Sequence, residues 1–401
     1  MHNTRKLNKD LYYIGCSDRR LQLFESAYPI PNGVSYNSYL LTDDKTALFD
    51  TVDKHCAEQF LENLVYALKG KDLDYLIVQH MEPDHASLIK RITELYPDVK
   101  ILCTAKAKDM INQFFEFDTE KYVNVVKEGD TLNTGRHELT FITAPMVHWP
   151  EVMVTYDKTD KALFSADAFG AFGAINGNLY DDEINLSETY INESRRYYSN
   201  IVGKYGAQVM MLLNKASGVE INTIYPLHGL ILRTHIGDFI ELYKKWATYT
   251  PEEKGVVIAF SSVYGGTENA IDILANKLAQ KGVKNIKLFD VSFTHPSYIL
   301  AEMFKYSNAV IATTTYNMGI FESMETFLNI LVAHNLQNRK FSIIQNGSWA
   351  PACGNLIRLK LGELKNSEII GEDICIKSTL KEEQLNKIEE LATTIANEVL
   401  V

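Results

Sequence analysis

The chain has 401 residues, of which 46% are hydrophobic and 23% charged, and its formal net charge is −11. That length exceeds one ordinary domain, and the composition is globular, with apolar material for sizeable cores. The negative balance argues against nucleic acid as a main partner. No apolar run approaches the roughly 18 residues needed to span a bilayer, and the charged start MHNTRKLNKDLYY lacks the apolar core of a signal peptide.

In chain order, segments 38–41 and 46–50 read as strands around the turn Thr42-Asp43-Asp44-Lys45, a hairpin. Segments 56–68 and 86–95 read as helices. Segments 75–79, 138–143, 162–165 and 223–225 read as further strands. This first part, 1–250, is a mixed α/β pattern without regular alternation. The polar, proline-bearing stretch Tyr249-Thr250-Pro251-Glu252-Glu253-Lys254 marks the boundary. The second part, 251–401, does alternate: strand 256–260, helix 267–280, strand 286–291, helix 297–304, strand 309–313, helix 321–334, strand 341–345, and a last helix 381–399. Such alternation predicts a parallel sheet covered on both faces.

The cysteines are Cys16, Cys56, Cys103, Cys353 and Cys375, an odd set without a CxxC pair. They argue against a disulfide framework, a zinc ribbon and a cysteine-ligated cluster, and a reducing cytoplasm fits.

The strongest signal is His80-Met81-Glu82-Pro83-Asp84-His85, placed directly after the apolar strand residues Leu76-Ile77-Val78. His148 follows the strand ending at Thr143, Asp167 ends Ala162-Leu163-Phe164-Ser165, and His228 follows Ile224-Tyr225-Pro226. A lone histidine after a strand is usually a packing residue, and an acidic run in a loop is usually a solvated turn. Here seven ligand-type residues gather at four strand ends, where an α/β sheet places its site. His55, His137, His235, His295 and His334 lack such company and read as surface or packing residues. Four imidazoles and three carboxylates without a thiolate suit iron, manganese or zinc. Seven ligands are too many for one tetrahedral ion, but they fit two ions that share a carboxylate and lie about 3.5–4 Å apart.

The run resembles the metallo-β-lactamase motif His-x-His-x-Asp-His with Glu82 in place of the second histidine, the mark of the flavodiiron family. His148-Trp149-Pro150 and Ser165-Ala166-Asp167-Ala168-Phe169-Gly170 also resemble family stretches. The resemblance implies a metallo-β-lactamase-like αββα domain followed by a flavodoxin-like doubly wound parallel-sheet domain. It gives His80, Glu82 and His148 to one iron and Asp84, His85 and His228 to the other, with Asp167 bridging. Family members differ in whether the His85 position binds directly. One departure is Ala171-Phe172, where many members carry a polar pair ending in histidine.

Ser261-Ser262-Val263-Tyr264-Gly265-Gly266-Thr267-Glu268 joins a strand to a helix. Its glycines and hydroxyls at a helix start suit a phosphate, although an ordinary capped loop has the same look. It is neither a GxGxxG fingerprint nor a P-loop. It resembles the flavodoxin phosphate loop. Thr313-Thr314-Thr315-Tyr316-Asn317 resembles the loop along the isoalloxazine ring, with Thr314 where proline is usual. Gly347-Ser348-Trp349 resembles the third loop, with Trp349 a candidate to stack on the ring, and Ala350-Pro351-Ala352-Cys353 departs from the glycine-rich form. The last two departures resemble the branch with deazaflavin-oxidising members.

The resemblance therefore implies two irons and one flavin mononucleotide (FMN) per chain, reduction of oxygen to water or of nitric oxide to nitrous oxide, and a head-to-tail homodimer or a tetramer of such pairs. No rubredoxin or flavin reductase domain is visible, so an outside donor is expected, a rubredoxin-like protein or a reduced deazaflavin. The rival reading is a dizinc hydrolase with an attached flavodoxin module.

Overall fold

The computed structural model describes residues 1–186 and 188–401, which form two compact units. The first comprises 1–198 and 207–244, and the second comprises 199–206 and 245–401.

In the first unit, the strands Arg5–Lys6, Leu11–Tyr13, Tyr39–Thr42, Thr46–Phe49, Tyr75–Ile77, Lys100–Cys103 and Val123–Val125 lie side by side in that order. A second sheet runs Thr131–Asn133, Glu138–Thr143, Met153–Asp157, Ala162–Phe164 and Thr223–Tyr225. The hairpin expected around residues 42–45 is present, with Leu40 opposite Leu48 and Thr42 opposite Thr46. One core joins the sheets. Tyr39, Phe49, Ile77 and Leu102 of the first pack with Phe141, Met153, Phe164 and Tyr225 of the second. The rings of Phe49 and Phe164 stack with centroids 3.8 Å apart.

Helix Ala57–Leu68 shows why an amphipathic stripe folds as it does here. Phe60, Leu64 and Leu68 recur at four-residue spacing with Asn63 and Ala67 between them, and all five are buried. Lys69 and Gly70 then take left-handed backbone and end it. With helices on the outer faces of two packed sheets, this unit has the αββα form.

The second unit is the alternating part. Its sheet runs Ile286–Asp290, Glu253–Phe260, Tyr306–Tyr316, Lys340–Asn346 and Glu368–Ile369, with Ile374–Ile376 also parallel to Lys340–Asn346. In chain order that is 2-1-3-4-5, the flavodoxin-like order, whose switch point lies between Glu253–Phe260 and Tyr306–Tyr316. Val256, Val257, Ile258 and Ala259 are all fully buried, because helices cover both faces. Helices Gly266–Gln280 and Leu385–Leu400 pack one face with Ile271, Leu274, Ile388 and Ile395.

Two expected elements differ. The helix expected at 86–95 is Ile89–Leu95, preceded by a separate turn of helix, Pro83–Ala86, with Glu82 at its N-cap. Asp84 and His85 thus stand on a helical turn rather than in open loop. A helix over Cys353–Leu361, not expected from sequence, follows the third loop of the second unit.

Candidate functional site

The run His80 to His85 is held at three points by side chains far away in sequence. Asp50 accepts from the amides of Gln79 (2.8 Å) and His80 (3.2 Å). Glu151 accepts from the Met81 amide (2.8 Å) and faces His80 Nδ1 at 2.9 Å. Thr51 donates to the His85 carbonyl through its amide (2.8 Å) and its hydroxyl (2.6 Å). Asp50 is fully buried, and burial pushes its carboxyl up to about 6.

These contacts set the rings. With His80 Nδ1 turned to Glu151, its Nε2 faces Glu82 (3.3 Å) and Asp167 (3.5 Å). His228 Nδ1 lies 2.6 Å from the Ser35 carbonyl, which can only accept, so that nitrogen carries the proton. His228 Nε2 is then left facing Asp84 (3.3 Å) and His85 Nε2 (3.0 Å). His148 Nε2 faces Glu82 (3.0 Å) and Asp167 (3.2 Å).

Two donor sets result: His80, Glu82, His148 and Asp167 in one, and Asp84, His85 and His228 in the other. Asp167 also faces the second set. Its Oδ2 faces His80 and His148, while its Oδ1 faces His85 (3.2 Å) and His228 (3.8 Å). All seven side chains are buried. Among the described residues, both oxygens of Asp84 and Oδ1 of Asp167 are buried without a hydrogen-bond donor. Bare carboxylate oxygens away from water are costly unless cations complete them, so the set fits metal ions. The protons it holds tell the same story. Burial disfavours the Asp167 anion, but the surrounding imidazoles hold it well below the usual carboxylate range. Burial also opposes the imidazolium forms, yet the carboxylates lift His85 to about 8 and His148 to about 9.

Several residues of this pocket gave no signal in sequence. Glu25 stands at the tip of the hairpin Leu23–Phe24 and Tyr28–Pro29, on a turn where Glu25 and Ser26 both have left-handed backbone. Desolvation and the facing Glu82 carboxylate push it up to about 8. Tyr197, Tyr36 and Phe24 ring His228 at centroid distances of 5.4, 5.9 and 5.5 Å. Phe172 packs on Phe24 (5.5 Å) and Tyr197 (5.2 Å), so the departure noted in sequence makes an apolar wall. His137 is buried and tied to Asp157 at 2.7 Å.

In the second unit, the three loops meet at the carboxyl ends of the strands. Ser262, Val263, Tyr264, Gly266, Thr267, Thr314 and Ser348 line a cavity of about 160 Å³ together with Asn346, Ser378 and Thr379. An adjoining cavity of about 390 Å³ is lined by Val263, Tyr264, Thr314, Thr315, Tyr316, Asn317, Gly347, Ser348 and Trp349, with Met318 and Ala350. Gly265 caps helix Gly266–Gln280 with left-handed backbone, which places the loop amides at the helix start. A Cβ on Gly266 would come within 2.1 Å of the Ser378 carbonyl, so only glycine fits. Ser261 and Thr313 lie behind the cavity, fully buried, with their hydroxyls bonded to each other. Thr315 accepts from the amides of Ala352 (2.8 Å) and Cys353 (3.1 Å), which braces the third loop. Tyr264 and Trp349 are 98% and 90% exposed and stand over the cavity mouth. A phosphate-sized cradle beside a longer slot with loose aromatic walls fits a flavin mononucleotide.

Residues 34–229 match a family model described as ODP family beta lactamase. The chain is 30% identical over 349 residues to the anaerobic nitric oxide reductase flavorubredoxin of Escherichia coli O1:K1, covering 86% of this chain and 72% of that protein. Among solved structures it is similar to rubredoxin oxygen:oxidoreductase from the anaerobe Desulfovibrio gigas, with 27% identity, TM-score 0.92 and 99% of each chain covered. It is also similar to a mutant flavo di-iron protein from Thermotoga maritima, with 25% identity, TM-score 0.90, and 99% and 98% covered.

Proposed function

The chain belongs to the flavodiiron protein family and is an oxidoreductase, and on that premise we propose that it binds two irons and one flavin mononucleotide and reduces oxygen to water, nitric oxide to nitrous oxide, or both. The observation that carries this reading is the division of Asp167, one oxygen toward each donor set. His80, Glu82 and His148 would hold one iron, Asp84, His85 and His228 the other, and Asp167 would join them. Bound there, the irons would supply reversible one-electron chemistry, with electrons from the flavin.

The chain's own residues do the rest. Glu151 and the Ser35 carbonyl orient His80 and His228 so that each presents its Nε2 inward. Asp50 and Thr51 hold the ends of the ligand run. Phe24, Phe172 and Tyr197 keep one side of the pocket apolar. Both reductions consume protons, and the Glu25 carboxyl stands beside Glu82 to relay one. In the second unit, Thr267, Ser262 and the amides at the helix start would hold the phosphate, and Trp349 and Tyr264 would flank the ring.

We take the donor to be an external rubredoxin-like protein or a reduced deazaflavin, and the working state to be a head-to-tail homodimer in which each flavin serves the partner subunit's irons. The dizinc hydrolase reading is not favoured, because the similar proteins that span both units are oxidoreductases. Metal and flavin analysis with steady-state rates on each gas tests the proposal. About two irons per chain, released flavin mononucleotide and gas reduction are expected. Mostly zinc with hydrolase activity would sink it. A mixed dimer tests the pairing, combining a metal-site variant (Asp84→Ala with His148→Ala) and a flavin-loop variant (Gly265→Asp with Thr267→Asp). Each homodimer should be dead and the mixed dimer partly active. A mixed dimer that binds both cofactors and stays inactive refutes transfer between subunits.

A further inference from the structure

Away from the ligands, the first unit holds two thiols that the chemistry above does not use. Cys16 is buried at the start of strand Cys16–Asp18, and its register partner is Tyr36 on Val34–Tyr36. Cys56 is partly exposed and ends the 3-10 turn Lys54–Cys56, where it is also the N-cap of helix Ala57–Leu68. The turn runs alongside the strand. Asn63 of the same helix donates to the carbonyls of Ile14 (3.0 Å) and Gly15 (3.2 Å), which fixes the helix against the residues just before Cys16. Cys16 and Cys56 thereby stand on touching segments, and both thiols are free.

Their position matters as much as their proximity. The stretch from Asp50 to Cys56 carries Asp50 and Thr51, which grip the two ends of the ligand run. Tyr36, opposite Cys16, sets its ring edge against His85 (6.4 Å) and His228 (5.9 Å). A bond between the two sulfurs would therefore tie together the two segments that stand directly behind the ligands.

We infer that Cys16 and Cys56 form a reversible dithiol–disulfide couple, oxidised by hydrogen peroxide, that braces the wall of the metal pocket. This goes beyond the reading of the site as a gas reductase and does not depend on it. The more accessible Cys56 sulfur attacks the peroxide O–O bond and becomes a sulfenic acid, and the other peroxide oxygen leaves as water. The Cys16 sulfur then attacks the sulfenic sulfur. The S–S bond forms, the S–O bond breaks, and a second water leaves. In sum, two thiols and one peroxide give one disulfide and two waters, with two electrons passing from sulfur to oxygen. A small dithiol reverses it.

The test treats the full-length, cofactor-loaded protein with a modest excess of hydrogen peroxide, then maps peptides without reduction. The expected product is a peptide pair joined through Cys16 and Cys56, with two thiols lost per chain and both regained after a dithiol reductant. Cys56→Ser should bring the cross-link to background and leave Cys16 reduced. Cys16→Ser should leave a sulfenic acid at Cys56 that a dione probe captures. Oxidation confined to the exposed Cys375, or oxidation of wild-type Cys56 to a sulfinic acid without any cross-link, would overturn the inference. The wild-type peptide map decides the matter even where a variant folds poorly.

Discussion

The two candidate sites solve opposite problems. The pocket of the first unit is closed: His80, His85, Asp167 and His228 are at most 1% exposed, and the His80 and His228 rings and the ends of the ligand run are held by distant partners. The cavities of the second unit are open, and their largest walls, Tyr264 and Trp349, project almost wholly into solvent. A small cation gains little from surface area, so its ligands must be held in place beforehand, at the cost of burying carboxylates that only a cation completes. A large planar cofactor can be held by many weak contacts, and its phosphate supplies the anchor. Rigidity is thus concentrated where the ligand is smallest.

The sharpest way to break this contrast is to remove the residue shared by both donor sets. Asp167→Ala should lose both irons and lower gas reduction by more than about a hundredfold, while the flavin stays bound. His228→Ala should deplete mainly one iron. Full metal and activity in Asp167→Ala would show that it is no bridge.

The same contrast predicts that the flavin site can be emptied without touching the metals. Gly266→Ala drives a Cβ against the Ser378 backbone carbonyl. Flavin affinity should fall by about tenfold or more, with iron content unchanged by metal analysis. A parallel loss of iron would mean that the two sites are not independently built.

A finer test addresses how the closed pocket is held. Glu151→Gln keeps the shape of the side chain but weakens its grip on His80 Nδ1 and the Met81 amide. Iron affinity should drop by about 10–100-fold, measured by competition with a chelator. An unchanged affinity would mean that packing alone sets the His80 ring.

The smallest effect belongs to the rim of the first unit. Glu183 accepts from Arg5 (2.8 Å) and from the Leu179 amide (2.8 Å), and the Arg5 bond first, then these amides, bring it down to about 2 from its ordinary 4.5. A depressed carboxyl stabilises the fold above its unfolded value and loses that contribution as pH falls from about 4.5 to about 2. The half-exposed Arg5 screens the pair, so Glu183→Gln should cost about 1 kcal/mol at pH 7. The difference from wild type should close near pH 2 in denaturant titrations. A gap that persists at pH 2 would assign the loss to packing instead.

The candidate ligands were legible because their signal is local. His80, Glu82, Asp84 and His85 lie within one short run, and His148, Asp167 and His228 each follow a recognisable strand. The parallel sheet of the second unit was legible too, since alternation of apolar strands and amphipathic helices forces one. Other features depend on which distant segments meet. No spacing announces that Asp50 holds the Gln79 and His80 amides, or that Glu151 turns His80. Glu25 meets Glu82 only because a hairpin tip folds back beside it. Ser261 and Thr313 read as cofactor contacts because hydroxyls after strands usually are, yet sheet pairing turns them toward each other. The segment 199–206 reads as part of the first domain but clusters with the second unit. Residue type and short-range order are written along the chain and decide which atoms can bind a metal or a phosphate. The partners that orient, neutralise or desolvate those atoms are brought from tens of residues away, and only the packing of the sheets selects them.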